Sequence, residues 1–196
     1  QLGIIFFLAA FYLYIRFSQK SQDKYIILSL ISFALALLSS EEAITLFLVI
    51  FAYDFFISKK WKSRFKIYIP YLALSALYLW FRFVFLDIGA RAEGYTPYIM
   101  FLSMTAAFVK YIYLLFIPLN LSVQQSVFLR EVSILSPTII AKLLVPIALL
   151  ALVIFYRNKR KMLSFWVLWF FLTLIPMLNI IPIQTVIAER YMYLPS

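Results

Sequence analysis

Few side chains in this chain can do chemistry. Among 196 residues there is no cysteine and no histidine, and eight Asp and Glu stand against eighteen Lys and Arg. That removes disulfides, Cys/His zinc sites, His-ligated haem and Ser-His or Cys-His nucleophile pairs, leaving acid or base work to Asp, Glu, Lys, Tyr or an external group. Three places put such residues in usable patterns: Glu41 and Glu42 in "LLSSEEAITL", Arg82 in "LYLWFRFVFL", and Glu189 and Arg190 ahead of Tyr191 and Tyr193 in "IAERYMYLPS". An arginine beside aromatics suits an anionic headgroup or phosphate, which its planar fork can bind at two oxygens, while a neighbouring acid pairs with it.

Each candidate also has a plainer reading. Adjacent carboxylates on a helix point about 100° apart, so at most one of Glu41 and Glu42 faces a given cavity. The other caps the helix that follows Ser39 and Ser40, and both together read equally as an acidic first turn. Arg82 costs on the order of 2 to 3 kcal/mol at the centre of a membrane helix and less if it snorkels, with Asp87 as a structural partner. Asn120, in a turn after Pro118, belongs to a segment that reads as an interfacial anchor with Tyr111 and Tyr113, or as a direct ligand contact. Asp54 falls beside the cluster running from Lys59 to Lys66 and reads as a structural ion pair.

The elements that must position these residues are apolar helices. Hydrophobic residues make up 65% of the chain and charged residues 13%. The pattern predicts an all-α, polytopic integral membrane bundle, with spans at about 2–15, 25–38, 43–57, 67–85, 138–156 and 162–181. The first three are short against the roughly 20 residues that a ~30 Å hydrocarbon layer asks for, so polar flanks such as Ser39 and Ser40 must enter it. The segment from Tyr98 to Ile117 is ambiguous. Residues 1–196 read as one transmembrane domain, a piece of a longer chain, with an outer-side loop at 86–137.

Charge placement sets the topology. Arg16, Lys20 and Lys24, then Lys59, Lys60, Lys62, Arg64 and Lys66, then Arg157, Lys159, Arg160 and Lys161 make up 12 of the 18 basic residues. The positive-inside rule puts all three groups in the cytoplasm, which makes the Tyr98 to Ile117 segment interfacial or re-entrant. Six basic and six acidic residues then remain on the outer side, so the net charge of +10 sits on the inner face. There it serves orientation and contact with anionic membrane lipids, and a nucleic-acid partner is excluded. Pro146, Pro176 and Pro182 are expected to interrupt or end spans. With only three glycines, Gly3, Gly89 and Gly94, close glycine-mediated packing is not expected, and aromatics, 20% of the chain, fill the volume.

A family resemblance rests on three blocks. The pattern Pro176-x-x-Asn179, Pro182-Ile183, then Ala188-Glu189-Arg190-Tyr191-x-Tyr193-Leu194-Pro195-Ser196 resembles the signature of the transmembrane and tetratricopeptide-repeat-containing O-mannosyltransferases and their bacterial relatives. "LLSSEEAITLFLVIFAYDFF" is similar to their Ser-Lys-Glu-x-x-x-Thr-Leu segment followed by Tyr-Asp, and "YIYLLFIPLNLS" to their Leu-Leu-Phe-Pro-x-x-Leu-Ser segment. The resemblance implies a GT-C class glycosyltransferase. Such an enzyme passes a sugar, here expected to be mannose, from a polyprenyl-phosphate donor lipid to a protein Ser/Thr or glycan acceptor on the outer or lumenal face. Carried over by position, Arg190 and Arg82 meet the donor phosphate, and Glu41, Glu42, Glu189, Tyr191, Tyr193 and Asn120 orient them or line the cavity. No residue is assigned as a metal ligand and no cofactor is assigned from the sequence. It places the catalytic Asp in a first outward loop not found here, and tetratricopeptide repeats after the membrane domain. Ser40 stands where the relatives often carry Lys. The implied location is a bacterial inner membrane, with the active side facing the periplasm or exterior. Two other classes fit a polytopic chain: a transporter or flippase, and a non-catalytic membrane scaffold.

Overall fold

The computed structural model describes residues 2–84, 105, 108–113, 137–175 and 194. Among these the chain is helical throughout, with no strand. It divides into two compact units, residues 1–88 and 89–196.

In the first unit, α1 (Leu2–Lys20) and α2 (Asp23–Ser39) form a hairpin. The turn is Ser21 and Gln22. Ser21 adopts the left-handed conformation (φ 51°), and its N–H closes α1 on the Phe17 carbonyl at 2.8 Å. Asp23 opens α2, where a negative charge meets the positive end of the helix dipole. At the far end the chain becomes extended at Ser40, whose N–H bonds to the Ala36 carbonyl at 2.8 Å.

A second helical run follows with three pitches: a 3-10 turn (Glu41–Thr45), α3 (Leu46–Tyr53) and a π turn (Asp54–Ser58). Lys59, left-handed at φ 58°, ends it. Then α4 (Phe65–Val84) runs back, with Pro70 inside it. Proline gives no N–H to the ladder, but a single lost bond with sound turns on both sides leaves the helix continuous.

The buried residues of α1, Phe7, Ala10, Phe11, Tyr14 and Ser18, recur at three- and four-residue spacing and form one stripe. They meet Phe33 and Ala36 of α2, Leu46, Val49 and Ile50 of α3, and Tyr71 of α4, all buried. Tyr14 and Tyr71 cross edge to face, 6.2 Å between centroids, and Phe33 lies 5.5 Å from Tyr71. The opposite faces carry exposed Ile5 and Leu8 on α1, Ile31 and Leu38 on α2, and Ile69, Leu77 and Trp80 on α4. Two helices, α1 and α4, are long and apolar enough to cross a membrane. Only 33% and 17% of their most apolar windows are buried, whereas the core helix of a water-soluble protein is mostly buried.

The six expected apolar stretches are helical wherever they are described, with three departures in detail. Helix α1 continues to Lys20 rather than stopping near residue 15, because Arg16, Gln19 and Lys20 are good helix formers and Arg16 Nε donates to Tyr12 Oη one turn back at 2.7 Å. Gly3 does support a close approach, against the expectation from glycine scarcity: a Cβ there would meet the Ser40 Cβ at 2.5 Å and the Ser40 nitrogen at 3.4 Å. One glycine suffices when it lies at the contact itself. Pro146 does not interrupt its helix.

In the second unit, α5 (Pro137–Tyr156) contains Pro146 and is joined to α6 (Lys161–Leu174) by a short basic turn. Pro137 occupies the first helical position, where a missing N–H costs nothing. Ser164 of α6 donates to the Val153 carbonyl of α5 at 3.2 Å. Residues 108–113 are helical, and Phe108 stacks on Phe171 with ring centroids 4.7 Å apart. The rest of the expected interfacial helix lies almost wholly outside the described residues, as do Pro176 and Pro182.

Candidate functional site

Residues from the two ends of the first unit build two charged sites. At one end, the break at Ser40 starts a helix whose first turn carries Glu41 and Glu42. Arg82 lies in the last turn of α4 and arrives at the same end because α4 runs antiparallel to the 41–58 run. Its Nη1 forms an ion pair with Glu41 Oε2 and donates to Tyr78 Oη, one helical turn back, at 3.3 Å. The two side chains are 15% and 30% exposed, so the pair is held but remains reachable. An arginine fixed this way presents charge-assisted donors in one orientation, the arrangement that recognises a phosphate or carboxylate.

Of the residues singled out in the sequence, this brings Glu41 and Arg82 together. The alternative partner, Asp87, lies outside the described residues, as do Asn120, Glu189, Arg190, Tyr191 and Tyr193. Glu42 is half-buried beside the pair, and its carbonyl accepts from Thr45 Oγ1 at 2.9 Å. Leu194, from the terminal motif, is buried, and its carbonyl accepts the Trp169 indole N–H at 3.2 Å. That bond ties Leu194 to α6.

At the opposite end Asp54 is fully buried. Its Oδ1 accepts from Arg64 Nη1 at 3.1 Å, and its Oδ2 accepts from Tyr14 Oη at 2.5 Å and Tyr68 Oη at 2.9 Å. Arg64 also donates to the Ser18 hydroxyl at 2.6 Å and the Ser18 carbonyl at 3.1 Å, with its guanidinium over the Phe17 ring at 5.6 Å. Both charges are therefore compensated and hydrogen-bonded, the condition under which a buried pair is tolerated. Such a buried, mutually bonded cluster holds structure.

The sequence reading anticipated an ion pair for Asp54 but missed Tyr14, Ser18 and Tyr68. The signal was present as polar pairs four residues apart: Tyr14 with Ser18, Asp54 with Ser58, Arg64 with Tyr68. Each pair shares a helix face. A third cluster lies between these ends, where Ser29 Oγ donates to the Ala10 carbonyl and pairs with Tyr71 Oη, both at 2.7 Å. It stitches α1, α2 and α4 together. Among the described residues no three Asp or Glu side chains converge as a metal site would need. No family model, curated protein or solved structure matches the chain.

Proposed function

We propose that this chain is the membrane domain of a GT-C type glycosyltransferase, a multi-pass protein of a bacterial inner membrane. It takes a sugar from a polyprenyl-phosphate donor and passes it to a protein or glycan acceptor on the outer face. The observation that carries the reading is the partly open Glu41–Arg82 pair, at the end of the first unit opposite the basic loops. The Ser63, Arg64 and Ser18 end holds Lys20, Lys24, Lys59, Lys60, Lys62 and Lys66, which the positive-inside rule assigns to the cytoplasm. The Glu41–Arg82 end then faces outward, and the sequence blocks that resemble the O-mannosyltransferases include both Glu41 and the terminal Glu189–Arg190 pair.

The reaction is a displacement at the anomeric carbon. The acceptor oxygen forms the new bond, the bond to the phosphate oxygen breaks, and the acceptor proton passes to a general base outside the residues named here. Arg82 and Arg190 stabilise the negative charge that grows on the leaving polyprenyl phosphate, and Glu41 holds Arg82 in the orientation that charge requires. Glu42, Glu189, Tyr191, Tyr193 and Asn120 are the further residues that the family resemblance assigns to the donor's surroundings.

A transporter would place ionisable groups mid-span. Glu41, Asp54, Arg64 and Arg82 all lie at or near helix ends instead. The test is sugar transfer from a polyprenyl-phosphate donor by the full-length protein carrying Arg190→Ala or Arg82→Ala, with membrane yield measured alongside. Turnover should fall by about 10²-fold or more at unchanged yield, as for loss of a charge-stabilising donor. Wild-type turnover in both variants would sink the reading.

A further inference from the structure

Two ion pairs join the same two elements. Glu41 and Asp54 belong to the helical run 41–58; Arg82 lies near the end of α4, and Arg64 immediately precedes it. The run and α4 are antiparallel, so one pair sits at each end of their contact. Between the pairs the two pack through Phe51 and Tyr68, 5.8 Å between centroids and edge to face.

The lengths do not match by themselves. A uniform α-helix rises about 20 Å from Glu41 to Asp54, while Arg64 to Arg82 covers about 27 Å. The 3-10 turn at Glu41–Thr45 rises about 2.0 Å per residue and so lengthens the shorter side. The π turn at Asp54–Ser58 begins at the other ionic contact, just beyond that stretch. The long arginine side chains close the remainder. Both departures from α geometry therefore lie where the two ionic contacts are made, with the eight regular residues of α3 between them.

We infer that Asp54 and Arg64 are positioning residues: their buried pair fixes the axial register of the 41–58 run against α4, and that register is what brings Glu41 to Arg82. The buried end carries the larger set of bonds, with Tyr14 and Tyr68 on Asp54 and Ser18 on Arg64, and acts as the fixed point. The more exposed end is the dependent one, with Glu41 and Tyr78 on Arg82 among the described residues. This inference stands on the helix geometry alone and holds whether or not the protein transfers sugar.

These 196 residues contain no cysteine, so once any cysteine elsewhere in the full-length protein is replaced by serine the test can be made in the membrane. Glu41→Cys with Arg82→Cys reports the register through the rate of linking by a short bifunctional methanethiosulfonate. Ala10→Cys with Ser29→Cys reports the α1–α2 hairpin, which contains neither partner of the register. In an Asp54→Asn or Arg64→Gln background, 41–82 linking should fall by about tenfold, since thiol linking needs closely set Cβ atoms, while 10–29 linking stays at the wild-type rate. Unchanged 41–82 linking overturns the inference. So does equal loss of both, which would make the network a requirement of the whole bundle rather than of register.

Discussion

Gly3 and Ser40 sit so close that a Cβ built on the glycine would come within 2.5 Å of the Ser40 Cβ. The start of α1 is thereby seated on the turn that opens the Glu41 helix.

Gly3→Ala should destabilise the first unit by about 1 to 3 kcal/mol, the usual cost of adding a methyl group to a filled contact. Ser40→Gly, which removes the opposing Cβ, should restore most of that loss. Thermal unfolding of the four variants in detergent tests both statements; equal midpoints for wild type and Gly3→Ala would mean that the contact yields freely.

Asp54→Asn leaves the Arg64 guanidinium buried without a counter-charge and should cost about 3 to 5 kcal/mol. Adding Arg64→Gln removes the stranded charge, so the double variant should be more stable than Asp54→Asn alone. Denaturation midpoints decide this. Additive losses would show that the two side chains act independently.

Ser29→Ala strips the buried Tyr71 hydroxyl of its 2.7 Å partner. The loss should be about 1 to 3 kcal/mol, the penalty for an orphaned buried polar group, and Tyr71→Phe in the same chain should cost little more. The comparison is again of unfolding midpoints, and a Tyr71→Phe change that is as harmful in the Ser29→Ala background as in wild type would count against it.

Single cysteines report sidedness. Ser21→Cys and Ser63→Cys, both at exposed positions in the basic end, should react with an impermeant maleimide only in inverted vesicles. Ser39→Cys, exposed at the other end, should react in intact cells. Labelling of all three from one side would overturn the topology on which the proposed function rests.

The helical elements were legible because apolar runs bounded by charge leave little else for the chain to form. Arg82 and Glu41 were legible as charges, but their pairing was not. Asp87 was the nearer acid in sequence, and only the antiparallel return of α4 brings Glu41 close. Tyr14 and Tyr68 were hidden for another reason. A tyrosine among Leu and Phe reads as bulk, and its hydroxyl gains meaning only when a helix from elsewhere delivers Asp54. Gly3 was hidden by its position at the head of a helix, where nothing in its own neighbourhood announces Ser40. Helix α1 runs beyond its apolar stretch because Arg16 and Lys20 are helix formers in their own right.

The two ion pairs also differ in when they can form as the chain is made. Asp54 and Arg64 are ten residues apart and flank a single turn, so they emerge together. The Asp54 carboxylate therefore has its counter-charge within the same short stretch of chain. Glu41 has no such early companion, since Arg82 is at the end of the last helix of the unit. Its closure with Arg82 marks the moment at which all four helices are in place, so the Glu41–Arg82 pair is assembled only on a finished fold.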